Sequence, residues 1–387
     1  MTDSERLYPL IKHFVCDSSS ADAVGEVALA RFGPLMKDPK FRRPNQTETN
    51  PIDDGHLAVE EYIKHICLPN DTTDTMLKSW AWEANRRMGN MTPQIQLRDP
   101  ARNYFNTTAI LLLSLCKNIS TLYIGTIFYD LLGQYLRMVN YGETPVPALQ
   151  KLQHVHIGAL MAAHEPPEDF YSFYLGATLR LFHRLPSMTT ISMDGVCDNM
   201  EPEFYIERVA NMKKMYITRS DIRTFPLDQM IRFPKALEEF TLTTGGLFSR
   251  HGSKPCIISR TLGKALRQHR HTLKTLNLSS EDLAWPAPWG VDDDGLSGKI
   301  QGESYEALRE FYGPNYIQKD LEIQDPQPKE DDDPPDQPLN GIGSLHDFPQ
   351  LTYLSLSLQM LFGFGCELYD GASHEMQVGP KPQKSLV

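Results

Sequence analysis

One short pattern of apolar residues recurs along the chain, and it constrains the fold more than any other feature. Each copy has an apolar residue, two mostly polar residues, an apolar residue, one further residue and a last apolar residue. The first copy spans residues 119–124 and the last spans residues 351–356. The central apolar residues of the seven copies are Leu122, Val155, Ile191, Met215, Phe240, Leu276 and Leu354. Such recurrence predicts one repeated structural unit whose neighbours stack on each other.

The spacing inside each copy predicts a short strand, because the last two apolar residues are two positions apart and share one face. Successive centres lie 33, 36, 24, 25, 36 and 78 residues apart, which leaves room for a crossover helix. Apolar residues at helical spacing predict such helices within 129–139, 170–185 and 257–271. We therefore expect an α/β fold, an irregular leucine-rich-repeat-like solenoid of parallel strands and crossover helices. The alternative is an ordinary α/β domain whose strands resemble each other.

Three regions follow from where the pattern occurs. The first hundred residues lack it, and 57–66 and 75–88 have helical spacing, so we predict a helical N-terminal region at 1–104 that caps the first repeat. The solenoid is expected at 105–370. Residues 371–387 are polar and contain Pro and Lys, which predicts a disordered tail.

The longest interval between copies contains an acidic insertion at about 281–340. Between these residues the chain has 16 acidic and 4 basic residues, so this segment carries −12 of a total formal charge of −11 and the rest carries +1. Its run of Pro and Asp at 325–336 has too few apolar residues to bury, which predicts a solvated loop. The alternative is an acidic docking strip for a basic partner.

Composition excludes several classes of function. An acidic chain does not favour nucleic acid or an anionic membrane as partner, because phosphates require net Lys and Arg. No apolar run approaches the roughly 18 residues of a membrane helix, and the charged first residues do not resemble a secretory signal. The six cysteines are far apart and form no CxxC pair. We expect free thiols in a reducing compartment and an intracellular protein, cytoplasmic or nuclear.

No motif for catalysis or metal binding is found. The sequence has no GxSxG elbow, no phosphate-binding GxxxxGK[ST] loop and no GxGxxG fingerprint. Residues 292–303 resemble a calcium loop, but Leu296 and Ser297 occupy positions that need an oxygen ligand and a glycine. His154 and His156 share a face of one strand without an identifiable third ligand. We expect no enzymatic activity, no cofactor and no metal; the alternative is an α/β hydrolase whose triad assembles only in space.

The repeat does predict a surface. Residues between the two buried positions of each strand point to the open side of the sheet, and they mix Tyr, His, amide and hydroxyl groups. Such a mixture suits protein recognition, since Tyr supplies contact area and a hydrogen bond at small entropy cost. The alternative is an ordinary solvated sheet face. The candidate partner-binding residues are Tyr123, His156, Ser192, Tyr216, Thr241, Asn277, Tyr353 and Ser355.

Two segments resemble a known family. Residues 267–278 (RQHRHTLKTLNL) and 343–356 (GSLHDFPQLTYLSL) are similar to the R-x-H-x-x-T-L-x-x-L-x-L and G-S-L-x-D-F-x-x-L-x-x-L segments of filamentous-fungal F-box and leucine-rich-repeat proteins. In that family an N-terminal F-box docks on the adaptor of a cullin-type ubiquitin ligase, and the repeats hold a substrate. The F-box element Leu-Pro-x-Glu-[Ile/Leu] is not recognisable here; the nearest match, at 68–72, has Asp71 and Thr72 instead.

The resemblance implies a non-enzymatic protein-recognition module. Its specific form is the substrate-binding part of an F-box type ubiquitin ligase subunit, with contact to the adaptor only if an F-box exists outside this chain. The alternative is a repeat scaffold unrelated to ubiquitin, which binds other proteins.

Overall fold

The computed structural model describes thirteen segments of the chain, and the statements below concern these segments. They are residues 13–16, 51–66, 68–87, 98–125, 131–144, 147–158, 171–173, 175–198, 206–222, 224–245, 259–281, 314–324 and 344–357.

Ten strands lie in these segments, and eight of them form one parallel sheet. The strands are β1 (His13–Cys16), β2 (Thr121–Ile124), β3 (His154–Gly158), β4 (Tyr171–Phe173), β5 (Thr190–Asp194), β6 (Val196–Asp198), β7 (Lys214–Ser220), β8 (Glu239–Gly245), β9 (Thr275–Glu281) and β10 (Tyr353–Leu356). The sheet order is β1-β2-β3-β5-β7-β8-β9-β10, and β4 and β6 pair separately. The strands therefore follow each other in the sheet in the order of the chain, and the predicted α/β class is confirmed.

All seven copies of the apolar pattern lie in this sheet in aligned register. Leu122 is opposite Val155, and the same row continues through the other five central residues to Leu354. The eighth strand, β1, was not predicted. It places Phe14 opposite Leu122, and residues 11–16 (IKHFVC) have the same spacing as the seven predicted copies.

Eight α-helices are described. They are α1 (Pro51–His65), α2 (Asn70–Arg87), α3 (Arg98–Leu115), α4 (Leu131–Asn140), α5 (Leu175–Arg180), α6 (Thr224–Arg232), α7 (Ser259–Arg267) and α8 (Pro314–Leu321). The helices predicted within 129–139 and 257–271 correspond to α4 and α7. The prediction for 170–185 is wrong at its start, where β4 precedes the short α5. Helices α1 and α2 and strand β1 lie in the region predicted to be helical, 1–104, and α3 extends beyond its predicted end to Leu115.

The core lies under one face of the sheet. From β2 to β9, the central apolar residues and those two positions later, such as Leu122 and Ile124, have at most 2 % of their surface exposed. The alternate residues of β3, β7 and β8 are mostly partly exposed, which gives these strands one buried and one open face. In β2 and β5 the first alternate residues, Thr121 and Thr190, are themselves buried. Burying each large apolar side chain stabilises the fold by about 1.5–3 kcal/mol, so this face holds the strands in register.

A repeated backbone arrangement fixes the entry of each strand. The N–H groups of Gln153 and His154 both donate to the carbonyl of Ser120, at 2.9 and 3.0 Å. The same pair of bonds recurs at every later strand of the sheet. Its accepting carbonyls belong to Gln153, Thr189, Lys213, Glu238 and Lys274. The entry of each of these strands is therefore joined to the preceding strand by the same two hydrogen bonds.

The 267–278 motif also ties one turn of chain to the preceding one. The ring Nε2 of His269 donates to the carbonyl of Ile231 at 2.7 Å, and its Nδ1 accepts from the N–H of Leu237 at 3.2 Å. The hydroxyl of Thr272 donates to the carbonyl of Leu237 at 2.8 Å. His269 and Thr272 thus join the segment before β9 to α6 and to the segment before β8.

The acidic insertion is not solvated throughout. Helix α8 lies within it, and its Asp320 has no exposed surface, so this part is packed against the rest of the molecule. The run at 325–336 and the tail at 371–387 lie outside the described residues. In the segments given above, no helix is long and apolar enough to cross a membrane.

Candidate functional site

The eight predicted surface residues lie on one face of the sheet. Seven of them form a single row that crosses seven strands from β2 to β10, with partners directly opposite one another. The row is Tyr123, His156, Ser192, Tyr216, Thr241, Asn277 and Ser355. At about 4.8 Å between strands, it is roughly 29 Å long. Tyr353 lies in the adjacent row, opposite Thr275, with 54 % of its surface exposed.

We call this surface the polar face: the row above, Tyr353, and the residues on either side of the row that point the same way. The residues of the row are all partly exposed. In β2 to β9, the residues directly before and after them in sequence are buried. Because strand residues alternate between faces, the buried core holds the polar face rigidly.

An aromatic pair lies at the β2–β3 end of the polar face. The rings of Tyr123 and His156 stack with centroids 4.5 Å apart and planes inclined by only 9°. Partial burial, with a smaller contribution from the neighbouring His154, lowers the pKa of His156. The imidazole of His156 is therefore neutral near pH 7, and the stacked pair is aromatic and uncharged.

A second cluster lies on β7 and β8. The Tyr216 hydroxyl donates to Oε2 of Glu239 at 2.5 Å, and Nζ of Lys214 is 2.6 Å from Oε1 of the same carboxylate. Burial and the adjacent carboxylate raise the pKa of Tyr216 to about 12. Hydrogen bonds from Lys214 and Tyr216 lower the pKa of Glu239. The carboxylate of Glu239 therefore stays ionised, and its charge is paired with that of Lys214.

A third cluster, at the carboxyl ends of β5 and β7, was not predicted. The carboxylate of Asp194 accepts from the Thr218 hydroxyl at 2.7 Å and from Nε of Arg219 at 2.9 Å. Burial tends to raise the pKa of Asp194, but the hydrogen bonds from Arg219 and Thr218 outweigh it and the pKa is lowered. Asp194 and Thr218 stand two residues after Ser192 and Tyr216, so period-two spacing was the signal that could have identified them.

Backbone geometry supports this third cluster. Arg219 has a φ of 45°, in the left-handed region, where the register between β7 and β8 shifts. A Cβ on Gly158 would lie 2.8 Å from the backbone oxygen of Asp194, so only glycine fits beside it. The left-handed backbone of Arg219 is locally strained. This backbone holds the ion pair of Arg219 and Asp194 on the polar face.

The buried histidines do not form a hydrolytic site. His183 Nε2 lies 2.8 Å from Oδ1 of Asp320, as in a triad, but its Nδ1 faces the side-chain amide of Asn140 and the carbonyl of Arg180, at 3.1 and 3.0 Å. Neither the amide of Asn140 nor the carbonyl of Arg180 is a nucleophile. Among the described residues, no group of three or more His, Cys, Asp or Glu side chains could hold a metal ion.

No protein-family model, curated protein or solved structure matches this chain. Its function has to be inferred from its own residues and their geometry.

Proposed function

We propose that the chain is a non-enzymatic protein-recognition module, an irregular leucine-rich-repeat-like solenoid that binds a protein partner on the polar face. The observation that carries this proposal is the row of Tyr, His, Ser, Thr and Asn side chains aligned across seven parallel strands above a buried core.

The chemistry of the row suits a folded protein or an extended peptide as partner. Tyr123, His156 and Tyr216 offer flat side chains with large contact area, and the small polar residues offer hydrogen bonds without long flexible stems. Because the sheet fixes their positions beforehand, binding loses little conformational entropy.

The charges of the polar face do not favour a charged polymer as partner. Lys214 pairs with Glu239, and Arg219 pairs with Asp194. These pairs neutralise each other, so we expect binding to depend on shape and hydrogen bonds, with a weak dependence on salt. Nucleic acid would need an excess of Lys and Arg on the binding surface.

The more specific form of the proposal is substrate binding for an F-box type ubiquitin ligase. It rests on the resemblance of residues 267–278 and 343–356 to segments of that family. A repeat scaffold unrelated to ubiquitin is the alternative.

Affinity capture with the full chain tests the proposal. The face variant carries Tyr123→Ala, His156→Ala and Tyr216→Ala. A matched control carries Lys64→Ala, Asp74→Ala and Lys78→Ala, three exposed residues of α1 and α2. We expect proteins retained by wild type and control to fall at least about tenfold with the face variant, as the loss of two or three contact residues predicts.

The identity of the captured proteins distinguishes the ubiquitin-ligase form of the proposal from the scaffold form. A ligase adaptor and cullin among them support the ubiquitin form, and other proteins support the scaffold form. An unchanged set with the face variant, whose folding is checked by circular dichroism, contradicts recognition on the polar face.

A further inference from the structure

A buried carboxylate connects the acidic insertion to the body of the molecule. Asp320, on α8, is fully buried against the turns that follow α4 and α5. Its Oδ2 accepts from Nε and Nη2 of Arg180, at 3.1 and 2.8 Å, and from the Tyr141 hydroxyl at 2.8 Å. Its Oδ1 accepts from Nε2 of His183 at 2.8 Å, and Nη1 of Arg184 is 3.5 Å away. Donors from four side chains thus converge on one carboxylate.

The hydrogen-bond pattern determines the tautomer of His183. Oδ1 of Asn140 accepts from the backbone N–H of Arg184 at 2.9 Å, so the amide nitrogen of Asn140 must face the other way. That nitrogen donates to the carbonyl of Arg180 at 2.8 Å and to Nδ1 of His183 at 3.1 Å. Because the carboxylate of Asp320 can only accept, the proton of the neutral His183 ring is on Nε2, and Nδ1 lies 3.0 Å from the carbonyl of Arg180 without a hydrogen bond to it.

Charge balance depends on the insertion. Burial lowers the pKa of His183 and keeps its ring neutral. Arg180 has 1 % of its side chain exposed, so its charge is balanced within the protein by the buried carboxylate of Asp320, while Arg184 lies at the edge. A buried cation that loses its partner anion is strongly unfavourable.

The four residues that donate to Asp320 lie in the body of the molecule, which is the part of the chain outside the acidic insertion. Hydrogen bonds outside the insertion join Asn140 to Arg180, His183 and the backbone of Arg184, and join Arg180 to Tyr141. The guanidinium of Arg184 also donates to the carbonyl of Lys319 on α8, at 2.7 Å. Asp320 comes from the interval between β9 and β10, and the donors come from the interval between β2 and β5. Strand β9 is four neighbours from β3 in the sheet, roughly 19 Å away.

The other polar contacts of α8 lie nearer the surface, and one of them is made by the carbonyl of Lys319, which accepts from Nη1 of Arg184 at 2.7 Å. Tyr316 and Lys319 both bond the exposed carboxylate of Glu143, at 2.9 and 2.7 Å. Such exposed contacts contribute little compared with a buried, multiply bonded carboxylate. Asp320 is therefore the principal polar attachment of the helix.

We propose that Tyr141, Arg180, His183 and Arg184 form a preorganised carboxylate-binding site of the body, which the insertion fills in cis with Asp320 and which accepts a small carboxylate when Asp320 is removed. The site is on the helical side of the sheet and does not depend on the proposed function of the polar face.

Chemical rescue in the full chain tests this site. Asp320→Ala removes the carboxylate and leaves space beside the donors, so we expect Tm to fall on the order of 10 °C. Sodium formate should restore at least about half of that loss along a saturating curve, because a ligand that binds only the folded state stabilises it. Sodium chloride at equal ionic strength should restore none of it.

Two controls separate the site from a general salt effect. Asp320→Asn fills the space with an uncharged amide, so its Tm should fall but show no gain that is specific to formate. Equal gains in formate for wild type, Asp320→Ala and Asp320→Asn would overturn the proposal.

If Asp320→Ala does not fold on expression, refolding from denaturant gives the same comparison. Recovery in formate and not in chloride supports the site. Recovery in neither salt, while Asp320→Asn refolds, overturns it.

Discussion

At the scale of single residues, two buried histidines link parts of the chain that are distant in sequence. His269 joins the backbone of Ile231 to that of Leu237, and His183 orients a carboxylate from the acidic insertion. Both rings donate through Nε2 and accept through Nδ1, so both are neutral in the folded protein. Their roles are structural.

The neutral state of His269 predicts a dependence of stability on pH. Burial, with smaller effects of Arg208 and Arg232, lowers its pKa from 6.5 to about 4. Between these values the unfolded chain binds the proton and the folded chain does not, so stability falls as pH decreases through this window. We expect His269 to account for about 2 kcal/mol of the loss between pH 7 and pH 5.

Urea unfolding of wild type and His269→Gln at the two pH values measures this contribution. The variant keeps an amide donor and acceptor at the site but does not titrate, so its stability should fall about 2 kcal/mol less than that of wild type. His183 is present in both proteins and cancels in the comparison. Equal losses would show that His269 is not protected from protonation.

Much of the sheet was predictable, because its signal is local to each strand. The row from Leu122 to Leu354 follows from spacing alone, and the polar row follows from alternation. The ion pair of Asp194 and Arg219 and the buried site around Asp320 were not predicted. These contacts join residues 25 and 140 positions apart in sequence, and no short pattern encodes such pairings.

At the scale of elements, the last described strand of the sheet differs from the others. Leu354 of β10 is 42 % exposed, although it lies in the row whose members from β2 to β9 are completely buried. Its neighbour in that row, Leu276 of β9, has no exposed surface. The apolar layer is therefore thinner at this end.

This difference predicts unequal effects of the same substitution. Leu276→Ala should cost about 3 kcal/mol of unfolding free energy, because it removes a buried side chain and leaves a cavity. Leu354→Ala should cost less than about 1 kcal/mol, because water already contacts much of the side chain. Denaturant unfolding of both variants measures the two losses, and similar values would contradict the exposed position of β10.

At the scale of the whole molecule, most of the formal charge belongs to one segment of the sequence. The acidic insertion carries −12, the remaining chain is close to neutral, and the charged pairs of the polar face neutralise each other. The helix α8 attaches the insertion to the body near α4 and α5. The polar face is thus a neutral surface on a chain that is acidic as a whole.

Site-specific photo-crosslinking tests recognition on the polar face most directly. A photoreactive amino acid replaces Ser192 or Thr241, on either side of the central Tyr216 of the row, and Lys78 on α2 serves as the exposed control position. We predict that a partner captured by the full chain crosslinks at least about tenfold more from Ser192 and Thr241 than from Lys78, as contact in the centre of an interface requires. Equal crosslinking from all three positions, or crosslinking from Lys78 alone, would contradict binding on the polar face.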